Sequence, residues 1–258
     1  MCFGLALASL GQLSLCLEGD FGMLTVAAIE VGKHITTHIF GFTIDADTVW
    51  STALAGLILI VLGLIMRATM RDGVPSKLQL IFETIVEMVR SQVESTIGPE
   101  GKPIVPLAVT LFLFILIANL IELIPSGHNP EYLPAPTADV NLTFALAAFV
   151  IVLVHAASIK KRGIRGYIRH YFRPYFFLFP INVIEEIAKP ITLALRLFGN
   201  MFSGGLMLAL IATLFPLFIV PVPEIVWKLF DVFVAVIQAF IFALLTILYF
   251  SSAMSEEE

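Results

Sequence analysis

Long apolar runs broken by short polar punctuation dominate the chain. Trp50–Met66, Val105–Ile124 and Val140–Ile159 each approach the roughly 20 apolar residues that a spanning helix needs. Asp45 and Asp47 precede the first run and Arg67 follows it; Pro125 ends the second, and Lys160-Lys161-Arg162 ends the third. Two longer stretches follow, Tyr175–Val220 and Glu224–Ser251, separated by Pro221-Val-Pro223. None of these runs alternates with a period of two, as barrel strands would. The pattern predicts an all-α integral membrane protein with five membrane-embedded helices. Some forty helical residues would measure about 60 Å against a hydrocarbon core of about 30 Å. The last two elements, about 175–252, are therefore expected to form a long, tilted hairpin, with Pro190 interrupting its first arm.

Between the first two spans, Leu78, Ile81, Phe82, Ile85, Val86 and Val89 recur at helical spacing beside Glu83, Glu87 and Arg90. This predicts an amphipathic helix, about 75–97, lying on the membrane surface. Residues 1–45 read as an external N-terminal segment and 46–258 as a single membrane domain. Met1–Leu17 is apolar, but no Lys or Arg occurs before Lys33, so the basic start of a signal peptide is missing. That stretch is expected to be a weakly ordered or interfacial leader.

Composition agrees with the pattern. The 258 residues are 59% hydrophobic and 14% charged, against about 25% charged in soluble domains; the mean hydropathy is +0.96. These values exclude a soluble enzyme and a secreted disulfide scaffold. A net charge of -5 offers no basic patch for nucleic acid. The distribution of cations then sets an orientation. Arg67, Arg71, Lys77, Arg90 and Lys102 lie between the first two spans, and Lys160, Lys161, Arg162, Arg165, Arg169 and Arg173 follow the third. Pro125–Val140 has none. By the positive-inside rule both basic loops and the C-terminus are expected in the cytoplasm and the N-terminus outside.

Arg196 stands deep in an apolar element. A charge there costs from about 3 to more than 10 kcal/mol and by default signals function. On a helical projection, Asn182, Glu185, Lys189, Thr192, Asn200 and Ser203 fall within about 40° of it. Such a stripe faces water or the polar groups of a partner. The competing reading is a helix bonded to its neighbours through buried polar side chains. Against that, Glu185 and Glu186 lie about 16 Å away along the axis, so the natural counter-charge is a carboxylate on another subunit. In the final helix Asp231 and Gln238 share one face, two turns apart. With Gln238 level with Arg196, Asp231 is expected opposite Gly205, whose small size leaves it room.

Arg-Leu-Phe-Gly-Asn-Met at 196–201, Gln-Ala-Phe-Ile-Phe at 238–242 and Ala-Asp-Val-Asn at 138–141 closely resemble the a subunit of F-type ATP synthases. The order of elements is similar too, over about 34–254. The stretch Gly204-Gly-Leu-Met-Leu-Ala-Leu and the ending Leu-Thr-Ile-Leu-Tyr-Phe-Ser look most like actinobacterial members. The resemblance implies a proton-conducting stator subunit in a bacterial plasma membrane, part of an F1Fo complex. It would offer two offset half-channels to a rotating ring of c subunits, held by b-type peripheral stalk subunits. Arg196 matches the family's essential arginine and Gln238 the glutamine packed beside it. Asn119, Glu122, Asp139, Asn141, Asn200 and Asp231 match polar positions of the outer half-channel. The inner half-channel is expected to comprise Asn182, Glu185 and Thr192. Some members carry Glu where Gly205 stands and His where Asp231 stands; the Gly/Asp pair resembles the swapped arrangement of others.

The chain carries no Gly-rich phosphate loop and no nucleophile–base pair, so a catalytic nucleotide site is expected on other subunits, and no cofactor here. His34 and His38 are one helical turn apart, but without a third ligand no metal is expected. His155, alone in a span, reads as a packed, hydrogen-bonded residue and not as a proton relay. Glu256–Glu258 reads as a solvated tail. The rival classes are a secondary transporter or antiporter and a structural membrane scaffold. Transporters commonly show paired repeats, and no repeat is visible here.

Overall fold

The computed structural model describes residues 36–39, 42–70, 76–121, 123, 136–171, 179–216 and 218–254. The leader Met1–Leu17, His34, Glu122 and the tail Glu256–Glu258 lie outside the described residues. Strands β1 (Thr36–Ile39) and β2 (Phe42–Asp45) form an antiparallel hairpin that the hydropathy pattern did not suggest. Its β-branched residues suit strands. His38 stands on β1, opposite Thr43, so the helical-turn spacing assumed for it does not apply there.

Helices follow: α1 (Ala46–Thr69), α2 (Lys77–Thr96), α3 (Val105–Ile121), α4 (Val140–Tyr171), α5 (Phe179–Leu214) and α6 (Pro221–Met254). Short 3-10 turns at Pro99–Ile104 and Pro136–Ala138 lead into α3 and α4. Five helices among the described residues are long and apolar enough to cross a membrane, as expected for an all-α membrane protein. With 36 and 34 residues, α5 and α6 would measure about 54 and 51 Å.

The expected break at Pro190 does not occur: α5 runs through it unbroken. One proline removes one backbone donor, a loss that membrane helices tolerate where neighbouring helices and hydroxyls satisfy the backbone. Close by, Thr192 Oγ1 donates to the carbonyls of Ala188 (2.9 Å) and Lys189 (3.0 Å). The break falls instead in α4, at Gly163, whose φ of 71° and ψ of 161° suit glycine alone.

The core lies among α3, α4, α5 and α6. Leu111, Phe112 and Ile115 meet Ala147, Val150 and Val154, with Leu193, Ala194 and Leu197 from α5 and Ala239, Phe242 and Ala243 from α6. The hairpin arms touch each other less than their neighbours: α5 packs chiefly on α4, and α6 on α3. Alanines let those backbones approach, as membrane packing requires. Elsewhere apolar side chains are exposed, including Leu57, Ile60 and Leu64 of α1 and Phe233 of α6.

The surface helix forms with Ser76 as its N-cap, its hydroxyl accepting from Gln79 N at 3.2 Å. Its apolar stripe divides along its length. Val89 and Val93 are buried against Val105, Ala108, Val109 and Ile247, whereas Leu78 and Ile81 remain exposed. The helix thus lies on protein at one end and presents apolar side chains outward at the other.

Cations gather the basic end. Lys161 Nζ binds Glu100 Oε2 at 2.6 Å and donates to the carbonyl of Met254 at 3.0 Å. Arg162 reaches the Ser252 carbonyl at 3.4 Å, and Ser251 Oγ donates to the Thr96 carbonyl at 3.1 Å. Positive groups on the last carbonyls of α6 suit the negative end of its dipole. These contacts place the ends of α2, α4 and α6 together.

Gly101 is the tight point of that junction. A Cβ there would stand 2.5 Å from Val93 Cγ1 and 3.0 Å from Ile97 Cβ. Gly101→Ala should lower stability by about 1–3 kcal/mol through overpacking, read as the denaturation midpoint of the purified chain in detergent. Val93→Ala in the same chain should recover part of the loss, the coupling expected of residues in contact.

Candidate functional site

The polar groups of α5 do not form one uniform stripe. Arg196, Thr192, Glu185, Gly199 and Ser203 are exposed, whereas Asn182, Lys189 and Asn200 are partly buried. Arg196 makes no hydrogen bond or ion pair with any described residue, as the sequence led one to expect. Leu195 and Phe202 flank it on the same open side, 52% and 42% exposed. The guanidinium thus stands on an otherwise apolar, uncovered helix face.

One turn beyond Arg196, Asn200 Nδ2 donates to Gln238 Oε1 at 2.8 Å. Gln238 is buried, and its Nε2 has no hydrogen-bond partner among the described residues. This neutral pair ties α5 to α6. Further along, Asp231 is buried on α6, and Trp227 Nε1 donates to the Gly204 carbonyl at 3.3 Å. The expectation that Gly205 faces Asp231 is corrected here. A Cβ on Gly204 would lie 3.2 Å from Asp231 Oδ1, while a Cβ on Gly205 would meet nothing within 4 Å. Contacts seven residues apart on α6, at Asp231 and Gln238, thus fall four apart on α5, at Gly204 and Asn200.

The other expected outer residues divide between two jobs. Asn119 is buried at the end of α3, where its Oδ1 accepts from Thr137 Oγ1 at 2.8 Å. Thr137 belongs to the 3-10 turn, which packs against α1, α3, α4 and α5. Asp139 caps α4: its Oδ1 accepts from Asn141 N at 2.7 Å. The Asn141 side chain is exposed. Glu122 lies outside the described residues.

Toward the basic end, Lys189 Nζ is 2.8 Å from Glu186 Oε2 and 3.8 Å from Glu185 Oε1, and lies 5.9 Å from the Tyr249 ring centre. Asn182 also has an interaction partner. Sequence reasoning missed Thr137 and Trp227, because neither stands out from the many hydroxyls and aromatics of a membrane chain. It also missed the pairing of Glu186 with α4. A second acidic residue beside Glu185 was its only signal.

The arrangement comprises an exposed arginine midway along α5 with polar clusters on either side of it. A family model described as ATP synthase A chain matches residues 48–251. The chain belongs to that family. The protein named ATP synthase subunit a in Acidothermus cellulolyticus is 56% identical over 226 residues, covering 87% of this chain and 83% of its own. Its namesake in Mycobacterium tuberculosis is 51% identical over 244 residues, 91% of this chain and 97% of the relative. The likeness to actinobacterial members is thereby borne out. In Desulforamulus reducens the identity is 37% over 225 residues, 85% of this chain and 84% of that one.

The two adjacent glycines make a test of the geometry. Gly204→Val should push the Asp231 carboxylate aside and destabilise the chain by about 1–3 kcal/mol. Gly205→Ala should be neutral or stabilising by up to about 1 kcal/mol, the usual gain over glycine inside a helix. Thermal denaturation of the two purified variants checks the difference; equal losses would mean that Asp231 does not lie under Gly204.

Proposed function

We propose that this chain is the proton-conducting stator subunit of a bacterial F-type ATP synthase, working against a ring of c subunits that each carry a membrane-embedded carboxylate. The single observation that carries the reading is the lone Arg196 guanidinium on an exposed helix face. Its counter-charge has to come from another subunit. The exposed side of α5 is the surface against which a ring would turn, and b-type stalk subunits would hold the chain still.

In this reading Asn119, Asp139, Asn141, Asn200 and Asp231, with Glu122, take protons from outside. A ring carboxylate that gains a proton is neutral and can pass into lipid; one still ionised cannot, because burying a charge in hydrocarbon is costly. Arg196 stays protonated throughout. Its charge favours the ionised form of each carboxylate that arrives, so the proton is released on the inner side past Thr192, Glu185 and Asn182. The same charge repels a proton moving directly between the two paths. Gln238, bonded to Asn200, fixes α6 beside the arginine. The cytoplasmic side is the end where Lys161 and Arg162 meet the end of α6. The positive-inside rule puts the basic loops on that side.

In Arg196→Ala the complex should still assemble, since removing an unpaired cation removes a desolvation cost. ATP-driven acidification of vesicles should vanish, while passive leak after stripping the soluble sector should persist or rise. Arg196→Lys should not restore full pumping, because an ammonium is compact and can lose its proton when desolvated. An assembled Arg196→Ala complex that pumps would sink the reading. Orientation has its own check. Cysteines placed in 125–138 should react with an impermeant thiol reagent from outside the cell, and those in 160–173 only from inside.

A further inference from the structure

His155 is hydrogen-bonded, as the sequence suggested, but its surroundings go beyond packing. Its Nδ1 lies 3.2 Å from the Tyr167 hydroxyl, and the two rings meet edge-on at 5.9 Å. Twelve residues of unbroken helix would span about 18 Å. The break at Gly163 is what folds Tyr167 back onto His155. The other ring nitrogen, Nε2, is 3.6 Å from Glu186 Oε1, and the second oxygen of that carboxyl holds Lys189. Lys189 also approaches Glu185 and Tyr249.

A row of ionisable groups thus runs from Lys189 and Glu186 on α5 to His155 and Tyr167 on α4. Beside it lies a cavity of about 420 Å³, whose lining includes His155, Glu186, Val183, Pro190, Ile191 and Phe144. His155 stands five residues before Lys160, about 7.5 Å along the axis, so the row ends close to the basic surface. Histidine is the side chain whose ordinary range lets it both take and give a proton near neutral pH.

We propose that His155 is a proton acceptor of the inner half-channel, receiving the proton from Glu186 and passing it to water at the cytoplasmic surface. The proposal rests on the half-channel reading above. In the release step of ATP synthesis, the Glu186 carboxyl transfers its proton to His155 Nε2, leaving a carboxylate and an imidazolium. The carboxylate is then held by Lys189. The imidazolium loses that proton to water, and neutral His155 is restored. The Tyr167 hydroxyl can accept from Nδ1–H or donate to bare Nδ1, so it supports the ring in either tautomer. In ATP-driven pumping the same steps run in reverse. Tyr167 is a positioning residue, since it fixes the ring without taking the proton.

The test uses the whole complex in inverted vesicles, where the cytoplasmic face is open to the medium. His155→Ala should lower the initial rate of ATP-driven acidification by about tenfold or more, the scale of a lost acid–base group. Imidazole in the medium, small enough for the enlarged cavity, should restore part of the rate. Pyrazole, of the same shape but scarcely basic, should not. His155→Gln keeps polar contacts without a basic nitrogen and should stay slow. Wild-type pumping in either variant, or equal rescue by both azoles, would overturn the relay; the second result would mean that His155 only fills space. Should His155→Ala fail to assemble, assembled His155→Gln decides by the same rate. Arg196→Ala serves as the separating control: if it pumps, the half-channel reading falls, and if it alone is inactive, only the relay falls.

Discussion

A guanidinium cannot shed its charge, and hydrocarbon cannot solvate it. Arg196 meets both conditions, with no carboxylate among the described residues to pair with it. Much of the helical arrangement follows from that constraint. The face of α5 that carries Arg196 stays uncovered, so α5 has to find its stability on the opposite side, through Leu193, Ala194, Leu197 and Met201. It does so chiefly against α4, which leaves α6 to pack on α3. A self-satisfied hairpin would have covered the arginine, and the chain avoids it.

Polar matching then follows depth. Between α5 and α6 the bond is neutral, Asn200 to Gln238, and between α3 and the Pro136–Ala138 turn it is again neutral, Asn119 to Thr137. Neutral pairs are the cheaper choice in hydrocarbon, where burying an ion pair costs several kcal/mol per charge before attraction repays it. Charged pairs stand away from these neutral ones: Lys189 with Glu186 and Lys161 with Glu100 toward the basic end, and Lys228 with Glu224 near the start of α6. Asp231 departs from the pattern. It is a buried acid with no ion pair among the described residues, and the bare backbone of Gly204 is what gives it room.

The membrane architecture was legible because hydropathy is a property of the chain itself. The arginine and its stripe were legible for the same reason, since their depth and face follow from helical periodicity. What failed depended on how helices meet. Gly205 was placed opposite Asp231 by sliding two antiparallel helices past each other at equal pitch, with Gln238 level with Arg196. Gln238 bonds one turn further along, to Asn200, and it is Gly204 that faces the carboxylate. The supposed break at Pro190 ignored the tertiary support that lets a proline stay helical. The contact of His155 with Glu186 needed the register of α4 on α5, and that with Tyr167 needed the turn at Gly163, which in sequence is only a glycine in a basic run. The β-hairpin was overlooked because four-residue strands leave little periodicity to detect.

The spacing of the polar clusters explains how a chain full of acids and amides can avoid being a leak. Toward the basic end the row of bonded groups stops at Lys189 and the nearby Thr192, whose hydroxyl is occupied by its own backbone. On the other side it resumes at Asn200. Eleven residues of helix separate Lys189 from Asn200, about 16 Å, whereas a proton hop along hydrogen bonds covers about 3 Å. The interval holds apolar side chains and one cation. Distance alone would stop direct transfer along the chain, and the charge makes intrusion of a hydrated proton costlier still, because like charges interact strongly where the dielectric is low. A group that is itself mobile, and that can be neutral while it moves, is then the only carrier able to connect the two sides. The gap around Arg196 is thus as much a part of the proposed mechanism as the groups that border it.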